Sequence, residues 1–338
     1  MSISTLWNIG FLMGLTMAVQ ISTGIILSMM YSPESTSAFM NVSLLMKEIE
    51  MGWATRAMHA NTASLLFMLI YLHTMRGLYF SSPSNQKKTW ATGMLMMILL
   101  MATAFLGYVL PWGQMSFWGA TVITGTISAI PILGQTIVTW IWGSASVSQP
   151  TLNRFFSLHF LLPMMIMTTM LLHLLTLHEK GSSNPSSTLT NTDKMNFHPM
   201  MSTKDTTPML LTTAAMTTML LMKPLMFMDT ENFNQANPLM APMHIQPEWY
   251  FLFAYVILRS IPSKLGGVIA LAMSIMVIMI PVNMKNKSTK FNPTKKTKFW
   301  VFATTVLILT WIGAKTVESP FEEIGKAYTI LYFLNIAT

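Results

Sequence analysis

The chain has 338 residues, of which 52% are hydrophobic and only 9% charged, with 35 Met, no Cys and a formal net charge of +8. Soluble domains carry about 25% charged residues, so this composition excludes an ordinary water-soluble enzyme, a disordered chain and a disulfide-stapled secreted domain. Thiolate metal sites and thiol nucleophiles are absent, so any metal chemistry has to use His, Met or carboxylates.

A membrane-crossing helix needs about 20 apolar residues. Uncharged runs of suitable length cover 1–33, 57–75, 89–153, 155–178, 206–222, 265–284 and 299–314, and a shorter one covers 327–338. They are too long and too continuously apolar for barrel strands, and backbone in lipid must bond to itself. The pattern predicts an all-α integral membrane protein with seven full spans and a short eighth, about eight transmembrane helices in all. The run 89–153 is long enough for one span followed by an apolar excursion. A Ser/Asn/Thr-rich stretch, 181–196, reads as a polar loop after the fourth span. No basic stretch precedes the first run, so no cleavable leader is expected.

Lysines and arginines lie between the apolar runs, which suits a membrane protein better than a nucleic-acid binder. Twelve of the twenty fall on the side of the N-terminus: Arg76, Lys87, Lys88, Lys180, Lys194, Lys204, Lys285, Lys287, Lys290, Lys295, Lys296 and Lys298. This bias puts the N-terminus on the synthesis side, the cytoplasm or the mitochondrial matrix.

Four histidines lie inside apolar runs, His59 and His73 on the second span, His159 and His173 on the fourth. Each pair is fourteen residues apart. Fourteen residues turn a helix through about 1400°, close to four full turns, and rise about 21 Å. Each helix therefore shows two imidazoles on one face, one near each leaflet. The two helices run in the same direction, so His59 is expected to face His159 on the far side and His73 to face His173 on the synthesis side. A single membrane His is ordinarily a hydrogen-bonded contact between helices. Two pairs with one spacing suit two six-coordinate haem irons, with a His on each face of the ring. Gly10 and Gly24 on the first span, and Gly93 and Gly107 on the third, repeat the same interval. Small-residue helix packing would explain either pair alone; the shared interval suggests room for a flat macrocycle. Arg56, Arg76 and Arg154 lie close in sequence to these histidines. They can act as snorkelling anchors or as partners of haem propionates.

Several strings carry a family resemblance: RAMHANTASLLFMLIYLHTMRGLY, RFFSLHFLLPMMIMTTMLLHLLTLHEKGSSNP, GYVLPWGQMSFWGATVI, PEWYFLFAYVILRSIPSKLGG and VESPFEEIG. Together they resemble mitochondrial cytochrome b, the haem-bearing core of ubiquinol–cytochrome c reductase, from about Trp7 to Phe333. Phe11, Thr62 and Ser183 depart from the residues usual in that family.

The resemblance implies two haem b groups, a low-potential one on His59 and His159 and a high-potential one on His73 and His173. It implies a dihaem four-helix bundle over 1–180 and a C-terminal membrane region over 181–338 that contributes to two quinone sites. Ubiquinol would be oxidised at an outer site and ubiquinone reduced at an inner one, a Q cycle coupled to proton translocation. The Rieske iron–sulfur protein, cytochrome c1 and other complex III subunits would be partners in a homodimeric complex. Its place would be the mitochondrial inner membrane, as a multi-pass protein in lipid, with no nucleic acid.

Glu248 stands where a polar stretch meets an apolar run, and the resemblance makes it the proton acceptor of the outer site. Tyr108, Trp118, Ile123, Pro247 and Tyr255 would line that pocket. On the near side His178 and Asp205, with Lys204 beside it, would bind and protonate quinone. A dihaem anchor lacking an outer quinol site and a cofactor-free transporter are the competing readings. The anchor would need neither PEWY nor four further helices, and the transporter predicts carboxylates in the apolar cores.

Overall fold

The computed structural model describes residues 4–185, 192, 194–279 and 291–337. Lys285, Lys287 and Lys290 lie outside the described residues. Every named element among them is helical, apart from one isolated antiparallel bridge between Gly113 and Gln235.

In chain order the N-terminal part consists of α1 (Ile9–Ser28), α2 (Ala38–Glu48), α3 (Gly52–Tyr79), α4 (Ser82–Asn85), α5 (Lys87–Val109), α6 (Gln114–Gly125), α7 (Gly134–Trp142) and α8 (Gln149–Lys180). The first four spans are α1, α3, α5 and α8. The uncharged run 89–153 resolves into α5, two shorter helices and the first turn of α8. Pro111 cannot continue the helix that ends at Val109. Gly143, at φ +74° after α7, takes the left-handed position that L side chains avoid. Helices also overrun the apolar runs: α8 begins before Arg154, with Pro150 in its first turn where no N–H is needed.

Close backbone approach occurs within two pairs, α1 with α3 and α5 with α8. The pairs meet through side chains. Met17 of α1, Phe67 and Ile70 of α3, Met97 and Met101 of α5 and Ile166 of α8 share one buried cluster. It separates the upper from the lower histidines.

The C-terminal part holds α9 (Met200–Met222), α10 (Leu252–Ser260), α11 (Lys264–Met276), α12 (Pro293–Gly313) and α13 (Phe321–Ala337). Phe253, Val256, Ile257, Phe302, Leu309, Ile312 and Tyr332 form its core. Arg259 closes the end of α12 by donating to the carbonyls of Ile312 (2.6 Å) and Lys315 (3.1 Å), where a helix presents unpaired acceptors.

By length and hydropathy the stretches Thr5–Ser28, Lys87–Val109 and Gln149–Lys180 can each cross a bilayer unaided. Helix α3 is as long, but Arg56, His59, Asn61, His73 and Arg76 lower its hydropathy. Only 11% of the most apolar stretch of α8 is buried inside the protein. Leu161, Leu171 and Leu175 stand exposed on it. An exterior this apolar is stable only against lipid. The chain is a multi-pass membrane protein.

Candidate functional site: two facing histidine pairs

The half-buried rings of His59 and His159 face each other across the bundle with centroids 6.3 Å apart, and those of His73 and His173 with centroids 6.5 Å apart. A metal bound to each imidazole at about 2 Å puts two axial rings about 6 Å apart, so one iron fits between each pair. Among the described residues no group of three or more His or acidic side chains could hold an ion alone. Two axial ligands suffice only when a macrocycle fills the remaining positions.

Hydrogen bonds decide which ring nitrogen is free. The Thr23 hydroxyl donates to the carbonyls of Val19 and Gln20, so at 2.9 Å it accepts from His59 Nδ1–H. Thr92 is likewise committed to Lys88 and Thr89, and accepts from His173 Nδ1–H at 3.1 Å. His159 Nδ1–H donates to the carbonyl of Thr103 at 2.8 Å. In all three the Nε2 lone pair is left bare, the arrangement typical of metal-ligating histidines. His73 differs: Arg76 Nη2 approaches its Nδ1 at 3.3 Å. Arg76 Nε is buried without a partner, and the guanidinium lies over the Trp7 ring at 5.2 Å. This cation is short of an anion, which a carboxylate on the edge of a bound macrocycle would supply.

The four glycines back the four imidazoles. A Cβ on Gly10 would lie 3.5 Å from His73 Cε1, on Gly24 3.2 Å from His59 Cε1, and on Gly93 3.1 Å from His173 Cε1. On Gly107 it would overlap the His159 ring, 2.7 Å from Nδ1 and 2.8 Å from Nε2. Each glycine therefore lets a ring lie flat against the neighbouring helix. A cavity of about 690 Å³ opens beside the upper pair, lined by Arg56, His59, Gly24, Gly107, His159 and Tyr108, within the size range of small-molecule pockets.

Residues 1–181 match the family model described as Cytochrome b/b6/petB, and residues 235–333 match that described as Cytochrome b(C-terminal)/b6/petD. The chain belongs to the cytochrome b family. A solved structure described as a hyperthermophilic respiratory Complex III is similar over 99% of this chain and 90% of that one, at 31% identity and a TM-score of 0.93.

Glu248 lines the same cavity as the upper histidines, together with Asp229 and Tyr108. It is held there from both sides. Trp249 Nε1 donates to Ser64 Oγ of α3 at 3.2 Å, the Tyr71 hydroxyl donates to the carbonyl of Tyr250, and the Tyr250 ring stacks on Phe67 at 3.9 Å. Upstream, residues 234–237 are stitched to the start of α6: Gln114 N–H donates to Asn234 O and Asn237 N–H to Gln114 Oε1. Burial, and then the charge of Asp229, push the Glu248 carboxyl up to about 7, with Arg56 acting in the opposite direction.

Trp118, Ile123, Pro247 and Tyr255 lie outside the lining of this cavity. Trp118 Nε1 donates to Asn237 O, and the Tyr255 hydroxyl to Ile245 O. Arg154 is exposed, and no hydrogen bond among the described residues joins it to a histidine. Its Nη1 donates to the carbonyls of Trp140 and Ile141 at the end of α7, a position that attracts a cation.

On the opposite side Asp205 accepts at Oδ1 from Asn8 Nδ2, at 2.7 Å. His178 is exposed on the last turn of α8, and no hydrogen bond among the described residues joins it to Asp205. The sequence reading missed Asn8, Asp229, Ser64 and the threonines that orient the histidines. A signal for two of those threonines was present: Thr23 and Thr92 each immediately precede one of the periodic glycines.

Proposed function

We propose that this chain is the electron-transferring core of a respiratory bc complex in the mitochondrial inner membrane, oxidising ubiquinol at an outer site and reducing ubiquinone at an inner one. The observation that carries the reading is the pair of imidazole couples, 6.3 and 6.5 Å apart, with a carboxylate of raised proton affinity in the cavity of one of them. Family membership and the likeness to a Complex III support it. His59 and His159 would hold a low-potential haem b, and His73 and His173 a high-potential one. When bound, such haems accept and release single electrons, giving a two-step path across the bilayer.

The chain's own residues supply the rest. Residues 1–180 act as the cofactor bundle, and 181–338 add the outer carboxylate and half of the inner site. Thr23, Thr92 and Thr103 hold the imidazoles with Nε2 turned outward. Arg56 and Arg76 neutralise ring carboxylates. Glu248 takes one of the two protons that quinol must lose with its two electrons, and releases it on the far side. Asp205, with His178 and Lys204, returns protons to quinone on the near side. The Rieske iron–sulfur protein and cytochrome c1 would carry the other electron of each quinol in a homodimeric complex.

The outer site carries a pH signature. A base with an affinity near 7 is protonated below that pH and cannot accept. Quinol oxidation is expected to rise as pH increases through about 7 and level off above it. Glu248→Gln is expected to lower turnover about 100-fold, near the low end for loss of a general base because water substitutes partly. It should remove the rise with pH and leave both haem spectra intact. Turnover at the wild-type level from about pH 6 to 8 would assign the proton to another group.

The inner site is tested separately. Asp205→Ala should slow reoxidation of the inner haem by quinone while haem reduction from the outer site stays near normal. A fall in outer-site reduction instead would mean that the two sites are on the opposite sides.

A further inference from the structure

On α3, residues 61, 64, 67 and 71 follow the spacing of three and four that gathers side chains on one face of a helix. All four hold one segment of the C-terminal part, and they hold it by its ends. Asn61 Nδ2 donates to the carbonyl of Pro224 at 2.8 Å. Ser64 Oγ accepts from Trp249 Nε1 at 3.2 Å. Phe67 stacks on the Tyr250 ring, and the Tyr71 hydroxyl donates to the Tyr250 carbonyl. Asn61 and Ser64 are three residues apart, a rise of about 4.5 Å. Residues 225–248 therefore leave α3 and return to it within one turn.

Loops of more than about 12–15 residues are uncommon in compact folds and are ordinarily functional. This one contains a short 3-10 turn, Thr230–Phe233. It carries both acids of the cavity beside the upper histidines, Asp229 near its start and Glu248 at its end. Its middle is fixed on the start of α6. Its base on α3 thus decides where the two acids sit relative to Arg56 and His59, which the same helix carries.

Asn61 contributes little to stability. Its side chain is buried, 1% exposed, and Oδ1 has no partner among the described residues. An acceptor stranded in a dry core costs as much as the single bond from Nδ2 returns, or more. Asn is also a weak helix former. What the tether supplies is geometry.

We infer that Asn61 and Ser64 are positioning residues for the outer quinol site: together they close the loop 225–248 on one turn of α3 and so fix Asp229 and Glu248 in the wall of the cavity. This rests on the reading of Glu248 as the outer-site proton acceptor. Asn61 lies outside the lining of the cavity and acts only through the loop.

The test uses the intact membrane complex with both haems bound. Misplacing a reacting group by about 1 Å costs up to about 100-fold. Partial release of the loop in Asn61→Ala is expected to lower quinol-oxidation turnover about 10-fold, through kcat more than through KM, with both haem spectra unchanged. Amide hydrogen exchange over residues 225–248 should quicken while that of α3 stays slow. Ser64→Ala should act in the same direction, and it carries the same measurements if Asn61→Ala does not assemble. Ser64→Thr keeps the hydroxyl and should recover the wild-type rate. In the Glu248→Gln background Asn61→Ala should lower turnover no further, because the group it places is already gone. Unchanged exchange, wild-type turnover in Asn61→Ala and Ser64→Ala, or a further loss in the Glu248→Gln background would overturn the clamp while leaving Glu248 as acceptor. Wild-type turnover in Glu248→Gln itself would overturn the reading of Glu248, and the role of the clamp with it.

Discussion

Replacing His173 by Leu is expected to leave one haem bound per chain where the proposed arrangement holds two. In the proposed arrangement the imidazole is one of the two axial ligands of the lower iron, its ring 6.5 Å from that of His73. Leucine offers no ligand atom, and its apolar bulk suits a half-buried position of α8, so the bundle should persist. The upper pair shares no hydrogen bond with the lower one: His59 uses Thr23 and His159 uses Thr103, whereas His173 uses Thr92. Pigment extraction should therefore show half the haem, with one reduced-minus-oxidised band left. Two bound haems in this variant would break the assignment of His73 and His173 as ligands. Thr92→Val, which removes only the orienting oxygen, should keep the haem but weaken its hold about 10–100-fold, the usual cost of losing a ligand's supporting partner.

The second large effect is expected at Gly107. A Cβ there falls within the His159 imidazole, 2.7 and 2.8 Å from its two nitrogens. A flexible side chain could swing away, but this ring is held by the Thr103 carbonyl at 2.8 Å. Gly107→Val should therefore force α5 and α8 apart or turn His159 out of line with His59. Overpacking of this kind costs about 1–3 kcal/mol, and the upper haem should be lost before the fold is. The four glycines also predict an order. Alanine should be worst at Gly107, intermediate at Gly93 and Gly24, where the Cβ would come within 3.1 and 3.2 Å of a ring, and mildest at Gly10, at 3.5 Å. Haem content per chain in the four alanine variants measures this directly. Equal tolerance at all four would show that the glycines serve helix packing in general.

The facing of the histidines was legible in advance because a helix converts sequence interval into angle with little freedom, and fourteen residues nearly close four turns. The glycines were legible for the same reason, although they were read as room for a macrocycle. The structure shows their methylene groups against the imidazoles themselves. Thr103 was illegible because it contributes its carbonyl, which every residue possesses. Arg154 was drawn toward the histidines by its place five residues before His159, but side chains on a helix are neighbours at three or four residues, not five. The end of α7, packed beside it, offered free carbonyls. Asn8 and Asp205 could not be joined by any periodicity, since they lie on different helices 197 residues apart. The roles of His178 and Asp205 follow from the family resemblance, because a His and an Asp bracketing a loop carry little signal of their own about which side chains meet.

That long-range contact also bears on the order in which the protein can be assembled. A membrane chain is inserted from its N-terminus as it is synthesised. Helices α1, α3, α5 and α8, with both histidine couples, are complete once residue 180 has emerged. The side chain of Asn8 must then wait, its amide unsatisfied, until Asp205 arrives. Asn61, buried in α3, waits likewise for the carbonyl of Pro224, and Tyr71 for that of Tyr250. A nascent chain arrested near residue 185 should already take up haem, yet remain vulnerable to protease along the edge of α3. Each later segment would bury one more stranded polar group, so the insertion machinery has to shelter that edge until α10 docks.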